Sequence, residues 1–263
     1  MTVKRVSIVA HEAKPEAARL LDAVTTWMGE RSIEVAEDGA LDLVISLGGD
    51  GTTLRAAQVA HAADAPLLSV NLGTLGYLSE VDASDAFDAL SRVVEADFEV
   101  EDRMMLSCDI DSPGRSYVGL NEVLVERTSR RRLVRLSVRI GGESLTDFNA
   151  DGVIVATPTG STAYALSAGG PIVSPRAQCI VVVPVSAHII FARPFVIPAD
   201  ETVEITVRGQ DQEASVSLDG AIGCDVASGT TVVVRQHPRP LRLVRFKGPR
   251  FIERLRIKLG LPG

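Results

Sequence analysis

Along the first hundred positions, short continuously apolar runs alternate with longer stretches of helical spacing. Residues 3–10 are β-branched and apolar, as in a strand buried on both faces of a parallel sheet. Pro15 then stands where the first turn of a helix tolerates it, and Ala17, Leu20, Leu21, Val24 and Trp27 recur at helical intervals. Residues 41–47 form a second apolar run that leads into Gly48-Gly49-Asp50-Gly51-Thr52, after which Leu54, Ala56, Ala57, Val59 and Ala60 predict a helix. Residues 67–72 return as a strand and 86–94 as a helix. Strand and helix in strict alternation predict an open, doubly wound and mostly parallel sheet.

Past Asp102 the texture changes to short β-like runs at 106–110, 117–125, 133–140, 153–156, 179–185, 203–207, 214–218, 231–234 and 241–246. Gly, Pro, Asp and Ser between them supply turns. A Gly, Ser and Thr rich interruption falls at 158–170, and Phe251, Ile252, Leu255 and Leu259 close the chain at helical spacing. The fold class expected is α/β plus mainly β. A Rossmann-like open α/β domain covers 1–100, a β-sandwich-like domain 101–248, and a helical tail 249–263 docks back.

Charge divides the chain in the same way. Residues 1–102 carry 7 Lys and Arg against 19 Asp and Glu, whereas the remainder carries 20 against 15. Basic residues concentrate at 127–139, including Arg130-Arg131-Arg132, and at 235–258; such stretches are solvated faces or surfaces for phosphates or an acidic neighbouring subunit. An overall net charge of −7 and only 7 Phe, 3 Tyr and 1 Trp argue against nucleic acid as a partner, which calls for basic grooves with stacking aromatics. Cys108, Cys179 and Cys224 stand far apart with neither disulfide nor zinc spacing, which fits a reducing cytoplasm. No run has the length of a membrane span or a secretory signal core, so no membrane partner is expected.

The chemistry concentrates in the Gly48-Gly49-Asp50-Gly51-Thr52 turn, at the carboxyl end of an expected parallel strand, where open α/β sheets collect ligands. Glycines let backbone amides approach an anion, and the following helix N-terminus favours phosphate, with Thr52 or Thr53 able to cap it. Asp50 would repel a polyphosphate unless it has its own task, such as orienting and deprotonating a hydroxyl that attacks a γ-phosphoryl group. The alternative is an ordinary Gly-Asp-Gly turn. Asn121 and Glu122 offer an amide and a bidentate acceptor; adjacent strand residues face opposite ways, so a pair that meets one ligand belongs at a strand end or bulge. Pro158 and Gly160 bend the later loop, Ser161 can cap a helix at 162–167, and Tyr164 presents a flat face with a polar tip. His11, His61, His188 and His237 have no metal spacing, although His11 follows the first strand near the expected ligand edge. No protein-built metal cage is expected.

The Gly-Gly-Asp-Gly-Thr turn with Arg55 four positions after Gly51 resembles the signature of the NAD kinase, diacylglycerol kinase and phosphofructokinase superfamily. Three further blocks narrow the resemblance: Asn71-Leu72-Gly73-Thr74-Leu75-Gly76-Tyr77-Leu78, Asn121-Glu122, and Asp151-Gly152 continuing through Thr157-Pro158-Thr159-Gly160-Ser161-Thr162-Ala163-Tyr164-Ala165-Leu166-Ser167-Ala168-Gly169-Gly170-Pro171. In this order they are similar to bacterial NAD kinases over nearly the whole chain. The resemblance implies transfer of a phosphoryl group from ATP or polyphosphate, with a divalent ion such as Mg2+, to the 2'-hydroxyl of the adenosine ribose of NAD, giving NADP. It implies a two-domain fold with most of the dinucleotide site in the β-rich half, and a homodimer or homotetramer. Asp50 matches the family's proton acceptor. Asp50, Gly51, Arg55, Asn121, Glu122, Asp151, Thr162, Ala163, Tyr164, Ala165, Leu166 and Ser167 match NAD-binding positions, and Gly48, Gly49, Gly51 and Thr52 are expected to hold the donor phosphates. Two departures stand out: Asn149 where a basic residue is expected, and Ala221 after Asp219-Gly220 where relatives have Gln. A lipid kinase of the same superfamily and a non-catalytic NAD or NADP sensor are the alternatives.

Overall fold

The computed structural model describes residues 3–11, 13–73, 76–129, 132–187, 193–210, 212–246 and 251–261. The chain forms two compact units, Met1–Arg103 with Leu241–Gly263, and Met104–Pro240.

In the first unit the chain runs through β1 (Arg5–Ala10), α1 (Pro15–Glu30), β2 (Glu34–Val35), β3 (Leu43–Gly48), α2 (Asp50–Ala62), β4 (Leu67–Asn71), β5 (Val81–Asp82), α3 (Ala86–Val94) and β6 (Glu99–Arg103). The order across the sheet is β2-β1-β3-β4, then a returning strand Leu241–Arg245, then β6, with β5 also on β4. The pairings among β2, β1, β3 and β4 are parallel, and β6 pairs antiparallel at the far side. Every residue of β3 and β4 is buried, which is why both read as unbroken apolar runs. Ala17, Val24 and Met28 of α1 and Ala86, Ala89, Leu90 and Val93 of α3 share one core with the strands. Because Ala10 pairs with Leu47 and Gly48 with Asn71, the carboxyl ends of β1, β3 and β4 share one edge of the sheet.

Two assignments differ from the sequence reading. The run at 241–246 pairs in this first sheet, beside β4 and β6, rather than with the β-rich half. Neither Thr52 nor Thr53 caps α2: the N-cap is Gly49, in extended conformation, with no side-chain cap bond. Thr53 instead turns inward, its hydroxyl 3.1 Å from Ser46 Oγ and 3.3 Å from the Gly49 carbonyl.

The second unit contains β7 (Leu106–Ile110), β8 (Arg115–Gly119), β9 (Glu122–Arg127), β10 (Val134–Ile140), β11 (Glu143–Ala150), β12 (Gly152–Ala156), α4 (Tyr164–Ser167), β13 (Cys179–Val185), β14 (Phe195–Pro198), β15 (Val203–Arg208), β16 (Glu213–Leu218), β17 (Ile222–Ala227) and β18 (Thr231–Gln236). Its antiparallel strands order as β11-β10-β15-β18-β7-β8 and β14-β13-β12-β9-β16-β17. Both sheets contribute to one core, with Leu106, Leu136, Phe148 and Val234 from one and Val123, Val155, Val182 and Val216 from the other: a sandwich. Strands β12 and β13 are apolar on both faces because Ile154, Ala156, Val181 and Val183 pack outward against Ala165 of α4. The run read as one strand at 117–125 is two, β8 and β9, broken at Leu120 and Asn121.

Candidate active site

Asp50 is the first helical residue after the Gly48-Gly49 turn, where the helix dipole favours a carboxylate. Two backbone amides aim it: Tyr77 N–H donates to Oδ2 at 3.0 Å and Leu78 N–H to Oδ1 at 3.1 Å. The donors reach it because residue 76 is glycine, as a Cβ there would lie 2.1 Å from Asp50 Oδ1. The loop is tied from several sides. Gly76 N–H donates to Ser79 Oγ at 3.0 Å, the Ser69 hydroxyl to the Leu78 carbonyl at 2.7 Å, and Glu80 N–H to the Ser69 carbonyl at 2.8 Å. Asn71 Nδ2 donates to the Gly73 carbonyl at 2.8 Å and Asp82 Oδ1 at 3.0 Å, and Lys14 Nζ to the Leu72 carbonyl at 2.9 Å. Thr74 and Leu75 lie outside the described residues.

The carboxylate is half-buried, and each oxygen that accepts one amide keeps a further acceptor direction. Gly51 is exposed with open space where a Cβ would stand, and Arg55, one turn on along the same helix face, is exposed and donates to the Ala10 carbonyl at 3.2 Å. A carboxylate fixed by two amides thus stands at a helix N-terminus, a setting suited to a hydroxyl attacking a phosphoryl group. Gly48 and Thr52 are buried, Gly49 half-buried. His11 follows β1, its Nδ1 accepting Ala13 N–H at 3.2 Å.

In the second unit Asn121 immediately precedes β9 and Glu122 is its first residue, so the pair stands at a strand end. Asp219, at φ 52°, organises them. Its carboxylate accepts the amides of Leu120 at 2.8 Å, Asn121 at 2.7 Å and Glu122 at 3.2 Å. From the other side Thr157 N–H donates to the Asn121 carbonyl at 2.8 Å and its hydroxyl to the Leu120 carbonyl at 2.6 Å. A Cβ at Gly160 would stand 2.0 Å from the Asn121 carbonyl oxygen, so the 157–160 turn and the 120–122 turn are in direct contact. Glu122 is buried, its Oε2 has no partner, and burial followed by the charge of Asp219 pushes its acid up to about 8. A buried carboxyl with an open acceptor suits a ligand hydroxyl.

The run from Thr162 to Ser167 divides. Tyr164 and Ser167 are exposed and Thr162, Ala163 and Leu166 half-buried, but Ala165 is buried in the core and acts as packing. Ser161 does not cap this helix, whose N-cap is Ala163. Its hydroxyl donates to the Pro158 carbonyl at 2.7 Å and accepts Val173 N–H at 3.0 Å, fastening the loop instead. Asp151 is half-buried and paired with Arg127 at 2.5 Å. Asn149 and Ala221 are both exposed. Of the basic triplet, Arg132 is exposed and Arg130 and Arg131 lie outside the described residues, as does His188. Among the described residues no three His, Cys, Asp or Glu side chains converge on a metal position.

Residues 30–98 match the family described as ATP-NAD kinase N-terminal domain, and residues 120–246 the ATP-NAD kinase C-terminal domain. The NAD kinase of Gemmatimonas aurantiaca is 44% identical over 242 residues, covering 90% of this chain and 83% of that protein. The chain belongs to the NAD kinase family. The NAD kinase of Heliobacterium modesticaldum is 38% identical over 276 residues, 97% of this chain and 98% of its own length. Among solved structures, the Archaeoglobus fulgidus NAD kinase in complex with ATP superposes with a TM-score of 0.80 at 26% identity, covering 98% of this chain and 100% of that one. Yeast NADH kinase complexed with NADH shares the fold, with a TM-score of 0.90 at 24% identity over 100% of this chain and 89% of that one.

Membership in the NAD kinase family makes the chain a phosphotransferase and sets the lipid-kinase alternative aside. Two site-building features lie outside what the sequence alone predicts: the Asp219 carboxylate and the backbone of Gly76-Tyr77-Leu78. A carboxylate before glycine at a turn was the available signal for Asp219, but its targets lie 97 to 99 residues earlier.

Proposed function

We propose that Asp50 is the proton acceptor of this NAD kinase. The 2'-hydroxyl oxygen of the adenosine ribose of NAD attacks the γ-phosphorus of ATP, the bond from that phosphorus to the ADP oxygen breaks, and the hydroxyl proton passes to the Asp50 carboxylate, yielding NADP and ADP. The observation that carries the reading is the Asp50 carboxylate held by the Tyr77 and Leu78 amides at the mouth of a helix N-terminus. Gly48, Gly49, Gly51 and Thr52 hold the donor phosphates, and polyphosphate offers the same chemistry to them. Gly51 and Arg55 face the phosphate side of NAD, while Asn121, Glu122, Asp151, Thr162, Ala163, Tyr164, Leu166 and Ser167 bind the dinucleotide, and Ala165 anchors this segment by packing against Ile154 and Val181. A divalent ion such as Mg2+, bound with the donor, would neutralise charge on the transferred group. The remaining elements of the reading are a cytoplasmic site of action, to which three free cysteines are suited, and a homodimer or homotetramer.

The test is NADP formation by the purified protein with Mg2+ and NAD, run in parallel with ATP and with polyphosphate. Asp50→Asn removes most turnover and leaves NAD affinity close to wild type; near-normal turnover refutes the assigned role. Tight NAD binding by the wild type with no product from either donor supports the sensor instead.

A further inference from the structure

The helix Phe251–Leu259 buries an arginine, Arg254, where an amphipathic tail would ordinarily bury a leucine. Its guanidinium is aimed at the loop behind Asp50. Nη1 donates to the Ser79 carbonyl and Nη2 to Glu80 Oε2 at 3.3 Å. Residues 79 and 80 directly follow Tyr77 and Leu78, whose amides hold the Asp50 carboxylate. One turn further along the helix, Lys258 Nζ stands 5.0 Å from the centre of the Tyr77 ring, so the same helix touches both ends of this stretch.

Stability alone is a poor reason for the arrangement. Glu80 is already satisfied by Arg245 Nη1 at 2.5 Å and Phe246 N–H at 2.7 Å, and Glu101 by Arg245 and Arg103. Arg254 adds a third guanidinium to two carboxylates in a buried cluster, and burial together with Arg245 pulls its pKa down. An apolar side chain of similar volume is often as stabilising at such a position. What arginine alone supplies is a rigid fork of donors that fixes a backbone carbonyl and a carboxylate in one geometry.

We propose that Arg254 is a positioning residue for Asp50, and that docking of the C-terminal helix clamps residues 76–80 so that the Tyr77 and Leu78 amides hold the carboxylate in its reactive orientation. The inference rests on Asp50 acting as the proton acceptor. It makes turnover depend on a helix about 200 positions away in sequence, through contacts within the first unit.

The experiment compares wild type, Arg254→Met and Arg254→Lys by steady-state kinetics with NAD and ATP, thermal unfolding, and amide hydrogen exchange at residues 76–80. Methionine keeps the packing and leaves Glu80 paired with Arg245, so the variant folds. Its kcat falls about 10- to 100-fold, the scale of a misplacement near 1 Å, while KM for both substrates stays within about twofold. Lysine, a point charge that reaches one acceptor, recovers part of kcat. Exchange at Tyr77 and Leu78 accelerates in Arg254→Met while exchange in β3 and β4 does not. Wild-type kcat in either variant, or a loss carried by KM, overturns the proposal; so does unchanged exchange at Tyr77 and Leu78. If Arg254→Met fails to fold, the kcat and exchange of Arg254→Lys decide by the same criteria. An inactive wild type refutes the reading of Asp50 as proton acceptor, and the exchange comparison then decides the clamp without any turnover.

Discussion

Replacing Glu122 by glutamine tests the second unit's site where its electrostatics are most unusual. Glu122 is 7% exposed and one of its carboxylate oxygens has no partner. Burial, and then the neighbouring Asp219, raise its acid from the ordinary 4.5 to about 8. Between those two values the unfolded chain has released the proton and the folded chain has kept it. The stability of the neutral form is therefore fully present below about pH 4.5 and is lost as pH climbs towards 8. At about 1.4 kcal/mol per pH unit, the wild type forgoes about 3 kcal/mol by pH 7. Glutamine is neutral throughout and avoids this loss. With about 2 to 4 °C per kcal/mol for a unit of this size, the wild-type Tm falls about 6 to 12 °C further than that of Glu122→Gln between pH 5 and pH 7.5. Scanning calorimetry at stepped pH measures it, and parallel curves for the two proteins refute the argument. Ligand binding supplies a second reading. If ribose hydroxyls of NAD donate to the open oxygen, they favour the ionised form, and NAD binding at pH 7 releases up to about one proton. Titration calorimetry in buffers of different ionisation enthalpy detects that proton, which is absent for Glu122→Gln; no release from the wild type removes Glu122 from the binding set.

Gly76→Ala would place a Cβ 2.1 Å from Asp50 Oδ1, so either the carboxylate or the loop must move. A kcat loss of about 10- to 100-fold is expected, and wild-type kcat in a steady-state assay would contradict the geometry. Asp219→Ala strips the acceptor from the amides of Leu120, Asn121 and Glu122, costing about 3 to 5 kcal/mol in thermal unfolding and weakening NAD in direct titration. The same substitution removes a like charge from beside Glu122 and brings its acid down towards the ordinary range, visible as a flatter dependence of Tm on pH.

What the chain states locally is legible without coordinates. Hydrophobic period and turn chemistry belong to neighbouring residues, so β3, the glycine turn and α2 follow from one contiguous segment, and α3 has the bounds its spacing predicts. The four family blocks are also contiguous, which is why Asp50, Glu122 and the 157–171 loop stood out as candidates. The strand pairs placed by short or weakly patterned segments did not: β2, β5 and β6 are respectively exposed, two residues long, or largely charged, and exist because a neighbouring edge accepts them. The returning strand Leu241–Arg245 has the same apolar alternation whichever sheet receives it, and only packing beside β4 chose.

The sequence by itself determined the two textures, the glycine turn at 48–52 and the family. Tertiary structure alone decided what holds the candidate site groups still: Tyr77 and Leu78 on Asp50 across 27 and 28 positions, Asp219 on Leu120 across 99, and Arg254 on Ser79 across 175. Each is a side chain meeting a backbone group after long loop closure, and such a bond imposes no periodicity and demands no neighbouring residue type. Its geometry arises only once the sheets have packed.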